Sequence, residues 1–482
     1  MNLRSVIRVL GFLLGGTAAS LLLPAAVSAI YGDGDAWSFL VSAAIGGAVG
    51  AALHFAGARA SNIGAREGFA VVALGWFAVG LLGGLPLCLS GQIPGYTDAV
   101  FEAVSGFTTT GATILTDIES RSHGVLFWRA LTHWLGGMGI VVLALAILPL
   151  LGVGGMQLFR AEVPGPVAER LTPRIRQTAK LLWGVYVLLT AAETAALMIA
   201  GLSFFDAVCH SFATLATGGY STRNASVGAY ANPAVEWIII VFSLGAGLNF
   251  ALHYLALHGR FRAYVRDDEF RFFLYLIAVA TAVLAVALLA IEYYPDLHAT
   301  IRHAAFQVVT IITTTGFSTA DYLLWPPVAH VILLLLMVVG GCTGSTSGGI
   351  KVVRLLVLLK VGKSELRKLL HPRAVTTLWF NDRAVSPQLA MNVLGFVLLY
   401  GLVFVFGVVA LTLGGRDLLT ATGATAATLG NVGPGLGDVG PAYNYGFLLA
   451  WEKWLLIVFM LVGRLEIFTV LVLFFPEAWR RS

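Results

Sequence analysis

The chain has 482 residues, of which 58% are apolar and only 11% charged, with 30 Lys and Arg against 25 Asp and Glu. Soluble domains carry about 25% charged and about 45–50% apolar residues, so a soluble enzyme of this length, which needs charge to cover its surface, is excluded. A mean hydropathy of +0.85 and long uncharged stretches from end to end also exclude disorder, coiled coil and collagen, leaving an integral membrane protein.

A span needs about 20 mainly apolar residues. Ten segments qualify, near 5–31, 36–58, 67–91, 122–151, 177–201, 233–258, 270–292, 325–360, 386–413 and 446–475. In the first, Arg4 and Arg8 precede an apolar run ending in Val27-Ser28-Ala29, as in a signal peptide. Its length and the second span that follows at once favour a retained helix. With both termini inside, inner loops and tails hold 22 basic and 9 acidic residues, and outer loops 5 (Arg121, Arg129, Arg223, Arg302, Arg416) and 13. That asymmetry is the positive-inside signature. The basic balance is therefore a matter of topology and does not point to nucleic acid, and an acidic outer mouth concentrates cations. Cys88, Cys209 and Cys342 lie too far apart for a disulfide framework or metal-ligand spacing.

Four linkers between paired spans are alike: DAVFEAVSGFTTTGAT (98–113), DAVCHSFATLATGGYS (206–221), HAAFQVVTIITTTGFS (303–318) and TATGATAATLGNVGPG (420–435). They align without gaps on Gly111, Gly219, Gly316 and Gly433. Ala99, Ala207, Ala304 and Ala421 then fall twelve places earlier, and Asp98 and Asp206 thirteen. The unit is span, short half-helix, Thr-x-Gly turn, span, four times over and always entered from the same side. It is a parallel repeat about the membrane normal, unlike the inverted repeats common in carriers. Non-helical backbone at membrane depth is tolerated only inside protein or along a water-filled path. Four such loops meeting on an axis set a ring of carbonyl oxygens around a dehydrated cation, and glycine supplies the dihedrals that turn carbonyls inward. Ordinary surface loops would not give four gap-free copies.

At these residues the chain resembles the Trk/Ktr/HKT superfamily of cation transport proteins, closest to its TrkH-type branch. The resemblance rests on the four loops, on HWLGGMGI (133–140), GGCTGSTSGGIK (340–351) and GRLEIF (463–468), and on two spans ahead of the repeat. It implies an all-α polytopic fold with segments 1–60 (two extra spans), 66–151, 175–258, 269–360 (second helix broken) and 386–475 (four pore repeats), and a tail at 476–482. The function it implies is potassium uptake through a channel-like pore in the bacterial inner membrane, with both termini cytoplasmic. It also implies pairing of two chains, control by a TrkA-type cytosolic nucleotide-binding ring, and no organic cofactor. By the same resemblance Thr109, Thr110, Gly111, Thr217, Gly218, Gly219, Thr314, Thr315, Gly316, Asn431, Val432 and Gly433 line a K+ filter. The loops are not identical, so K+ over Na+ selectivity is expected to be weaker than in channels with four identical TVGYG loops, and Rb+ to pass.

The eighth span is interrupted by Gly340, Gly341, Cys342, Thr343, Gly344, Ser345, Thr346, Ser347, Gly348 and Gly349, a run that cannot hold a regular helix when each Gly costs about 1 kcal/mol relative to Ala. Beneath the filter it is a candidate gate, as the family has an intramembrane gating loop here. Alternatives are close helix packing by small residues and a phosphate-binding loop. The latter fails because Ile350 stands where Lys is required. Arg464, in a very apolar run, needs a partner or a cavity. It is read as a barrier charge facing the pore beside the loop, or else as half of an ion pair with Glu193 or Glu452. Lys351 is a weaker gate candidate, since it can snorkel to the inner interface. His133 is read as a packed core histidine. The basic loops 160–180, 260–271 and 354–383, with Leu366, Leu369 and Leu370, are topology determinants that also offer a docking face for a regulatory ring or for anionic lipid. A secondary K+ symporter coupled to H+ or Na+ is the alternative function, with Glu193 as its one mid-span carboxylate in a plainly apolar stretch. Enzyme chemistry lacks a constellation, as Ser345 and Ser347 have no nucleophile context.

Overall fold

A computed structural model describes residues 1–57, 64–151, 171–372, 377–381 and 383–479. Most of the basic loop 160–180 and part of 354–383 lie outside the described residues. The described chain is helical apart from one antiparallel ribbon, Leu378–Phe380 with Arg383–Val385, in register Trp379 to Ala384.

The first apolar run is a 29-residue stretch, Leu3–Tyr31, followed by Ala36–Ala56. The two pack at glycines: a methyl on Gly50 would meet the Gly11 carbonyl oxygen at 2.8 Å, and one on Gly11 would collide with the His54 backbone. This is the small-residue contact that lets membrane helices approach closely.

Four units of one design follow. The first spans are Ala65–Leu89, Leu171–Ile199, Asp268–Ala290 and Pro387–Leu413, and the pore helices are Tyr96–Phe107, Phe204–Leu215, Leu297–Ile312 and Leu418–Leu429. At 1.5 Å per residue the pore helices, 12 to 16 residues long, reach only about 18–24 Å and cannot cross a hydrocarbon core of about 30 Å. Ser203, Asp296 and Asp417 cap the last three by accepting backbone N–H groups of their first turns. Ala99, Ala207, Ala304 and Ala421 are all buried, so the shared alanine marks where each pore helix meets its neighbours. The outward faces carry Phe12, Ile30, Leu398 and Phe406, each at least 60% exposed, which suits lipid and not water.

The second helices differ from a simple span. That of the first unit, His123–Leu151, is continuous. The other three are broken. Pro233–Ala246 turns through 102° into Phe250–Leu257, and Ala450–Arg464 through 118° into Ile467–Phe474. Pro327–Val339 gives way to the glycine loop before Val352–Leu370. Only the last break was expected. The two others, read from sequence as straight spans, turn at Asn249, whose side chain caps the next helix by accepting the Ala251 N–H at 2.8 Å, and at Glu466, which adopts φ +63°.

A four-segment ring and the loop beneath it

Each pore helix ends in the same way. Its cap residue (Thr108, Ala216, Thr313 or Gly430) is followed by a residue in the left-handed region: Thr109 at φ 50°, Thr217 at 54°, Thr314 at 57° and Asn431 at 56°. The N–H of each left-handed residue bonds three residues back, and the next N–H five back: Thr110 to Ser105 (2.8 Å), Gly218 to Ala213 (2.8 Å), Thr315 to Thr310 (2.7 Å) and Val432 to Ala427 (2.8 Å). This is the Schellman ending, which normally uses glycine at the left-handed site. Three threonines there are outliers, because a branched Cβ crowds the carbonyl, and such strain persists where surrounding structure imposes it. Gly111, Gly219, Gly316 and Gly433 follow at φ 78°, 79°, 77° and 96°.

The four segments close on one another. A methyl added to Gly111 would overlap the carbonyl oxygen of Gly218, one on Gly219 that of Thr315, one on Gly316 that of Val432, and one on Gly433 that of Thr110. Each unit's glycine therefore lies against the next unit, and the fourth returns to the first. Tyr220, Tyr322 and Tyr445 brace the ring from behind, donating hydroxyls to Glu102, Gly435 and Gly433 carbonyls at 2.8, 2.8 and 2.7 Å. His133, buried, contacts the Gly106 carbonyl at 2.8 Å and accepts from the Tyr220 N–H at 3.3 Å, so it is a packed bracket of the ring.

The carbonyl oxygens of Thr109, Thr110, Thr217, Gly218, Thr314, Thr315, Asn431 and Val432 belong to buried residues, and none receives a hydrogen bond from the described residues. Buried backbone carbonyls are otherwise almost always paired, so this girdle of acceptors suits a cation. A cavity of about 140 Å³ touches all four aligned glycines and is lined as well by Thr116, Arg129, Arg223 and Asn444. The two cations in its wall are neutralised: Arg129 by Glu102 at 2.8 Å, Arg223 by Asp206 at 3.3 Å.

On the opposite side runs the glycine loop. Its Gly348 N–H donates to the Thr314 hydroxyl at 2.8 Å, the Thr346 hydroxyl to the Leu215 carbonyl at 2.9 Å, and the Cys342 N–H to the Gly247 carbonyl at 2.9 Å. Gly340, Gly344 and Gly349 hold φ 77°, 75° and 68°, and a methyl on Gly341 or Gly348 would strike Ser347 or the Gly430 carbonyl. Ser345 folds back on the Cys342 carbonyl, and Lys351 donates to the Ser347 carbonyl at 2.7 Å. Arg464 reaches the Thr346 carbonyl at 2.6 Å.

The ion pair offered for Arg464 is absent among the described residues. Glu452 is taken by Arg416 at 2.8 Å and Glu466 by Arg354 at 2.8 Å, while the buried Glu193 lies beside Thr214. Sequence reasoning missed the work of Asn431, whose amide donates to the Thr110 hydroxyl and the Met460 carbonyl at 2.9 Å each, joining the fourth segment to the first and to the helix bearing Arg464. It also missed Glu269, which holds the loop's two ends. The alignment set Asn431 at the same offset from its glycine as the threonines of the other loops, but these long-range partners were not readable from it.

A polytopic helical membrane protein with four re-entrant, glycine-bearing turns closed into a ring is the architecture of a membrane transport protein. The family described as "TrkH: Cation transport protein" matches residues 38–480. The chain is 44% identical to the Trk system potassium uptake proteins TrkH of Salmonella typhimurium and Escherichia coli, covering 100% of both chains in each case. It is 36% identical to TrkG of Escherichia coli, with 99% of each covered. The crystal structure of the potassium transporter TrkH from Vibrio parahaemolyticus superposes with a TM-score of 0.91 at 41% identity over 100% of both chains. The chain belongs to the TrkH family of cation transport proteins.

Proposed function

We propose that this protein takes up potassium through the four-segment ring, which acts as its selectivity filter. The eight buried carbonyl oxygens at 109–110, 217–218, 314–315 and 431–432, which accept no hydrogen bond from the described residues, carry this reading. They replace part of the hydration shell of a K+ ion, the ion that the related uptake proteins are named for. Loop 340–351 is the gate, and Arg464 adds a positive charge under the filter that opposes cation passage. The membrane is the bacterial inner membrane with both termini cytoplasmic, the chain pairs with a second copy, and a cytosolic nucleotide-binding ring regulates it.

Flux from liposomes holding the purified protein tests this. Fast K+ and Rb+ flux, weaker Na+ flux and no requirement for a proton gradient are expected. Slow, saturable flux that needs Na+ or H+ would overturn it in favour of coupled symport.

A further inference from the structure

Three consecutive carboxylates at the cytoplasmic start of the third unit, Asp267, Asp268 and Glu269, divide between two structures, the first two engaging the ribbon 378–385 and the third the glycine loop. Asp267 caps its own helix, accepting the Phe270 N–H at 2.7 Å, and takes the Asn381 amide at 2.8 Å. Asp268 accepts the Asn381 backbone N–H at 3.1 Å and the Lys360 ammonium at 3.2 Å, and its own N–H donates to the Asn381 side-chain oxygen at 2.7 Å. Asn381 is the tip of the ribbon 378–385, and Lys360 also donates to the Trp379 carbonyl at 2.6 Å.

Glu269 points the other way. It is 2% exposed, and its Oε1 accepts the Thr343 N–H at 2.8 Å, the Thr343 hydroxyl at 3.2 Å and the Val353 N–H at 3.1 Å. Thr343 stands near the start of the glycine loop and Val353 in the first turn of the helix after it. One carboxylate thus clamps both ends of the interruption, where unpaired helix N–H groups favour an anion.

We propose that Asp267-Asp268-Glu269 is a relay joining the ribbon around Asn381 to loop 340–351, so that displacing the ribbon frees the loop. Glu269 and Asn381 are positioning residues, since neither touches the ion path. The proposal rests on the reading of 340–351 as the gate.

The test uses full-length protein in liposomes with Cys88 and Cys209 replaced by Ser, so that Cys342, buried in the loop, is its remaining thiol. Asn381 holds φ +46°, so Asn381→Gly keeps the turn and removes only the side-chain bonds. Basal K+ flux and the rate at which a water-soluble thiol reagent modifies Cys342 are both expected to rise about tenfold. That is the equilibrium shift from losing roughly one charge-assisted hydrogen bond, and the thermal midpoint should stay near the parent's. Glu269→Gln is expected to raise both readouts too, and the double variant to exceed neither single by a full further step, because both act on one path. Deletion of 344–348 is the control for the gate itself. Should that deletion leave flux unchanged, the gate reading falls and the relay with it. Should it raise flux while Asn381→Gly keeps parental flux and labelling, the relay alone is overturned.

Discussion

The guanidinium of Arg464 is bonded to the Thr346 carbonyl at 2.6 Å, and its Nε and second terminal nitrogen, both buried, find no acceptor among the described residues. The hydrogen bond ties the last helix to the loop, and the charge stays uncompensated by any carboxylate at ion-pair distance among the described residues. Two unit charges 4 Å apart interact by about 4 kcal/mol at an effective dielectric of 20. Even a third of that slows cation passage about tenfold. Arg464→Ala should raise basal K+ flux by at least about tenfold, whereas Arg464→Lys, which keeps the charge, should stay near the parent. Tracer flux into liposomes reads the difference, and equal rates in Ala and Lys variants would remove the charge from the account.

A second prediction concerns the ring itself. Gly316 sits at φ +77° against the Val432 carbonyl oxygen. Gly316→Ala adds left-handed strain of about 1–2 kcal/mol and pushes that carbonyl out of register, so K+ over Na+ discrimination should fall several-fold by reversal-potential measurement. Gly362→Ala is the matched control. No atom of the described residues lies within 4 Å of its added methyl, it sits inside the helix Val352–Leu370, and Ala is favoured there by about 1 kcal/mol. Selectivity should not move.

The threonines at the left-handed position separate strain from bonding. The Thr109 hydroxyl is buried without a partner among the described residues, while that of Thr314 receives the Gly348 N–H at 2.8 Å. Glycine relieves the backbone at either site. Thr109→Gly should therefore leave the thermal midpoint in detergent equal or higher, and Thr314→Gly, which also unties the loop, should raise basal flux several-fold. Similar flux from both variants would count against the loop being held through Thr314.

The fourfold repeat was legible because the geometry is local: a helix end, one left-handed residue and one glycine at fixed offsets leave the same trace at 109–111, 217–219, 314–316 and 431–433. What escaped is long-range. Asn431 was read only as one more filter-lining residue, and only the fold brings Thr110 and Met460 to its amide. Glu269 looked like one more charge at an inner helix end until the loop 74 residues away folded onto it. The bend at Asn249 was hidden because Gly245 to Asn249 lies within an apolar run whose mean hydropathy still passes for a span, and hydropathy carries no direction. Arg464 was recognisable as needing a partner, but which of Glu193, Glu452 and a backbone carbonyl would serve depended on a 118° turn at Glu466.

The buried pair Arg129–Glu102, at 2% and 1% side-chain exposure and 2.8 Å, ties the first unit's pore helix to its second helix and holds Arg129 against the second unit. Arg129 also donates to the Ser221 carbonyl at 3.3 Å and lies 4.0 Å over the Tyr220 ring, while Glu102 accepts from the Thr113 hydroxyl and the Ile114 N–H. Removing one member strands a charge away from water, which costs about 3–5 kcal/mol, whereas replacing both with apolar groups of similar volume is often neutral. Arg129→Met alone should lower the unfolding midpoint sharply in detergent, and Glu102→Gln alone less, since the amide keeps an acceptor. Arg129→Met with Glu102→Leu should recover much of the loss while leaving the Tyr220 brace unsupported on its open face. The double variant should then be better folded than Arg129→Met yet remain less selective for K+ over Na+ than the parent. A double variant as unstable as Arg129→Met would place the effect in packing and not in the stranded charge.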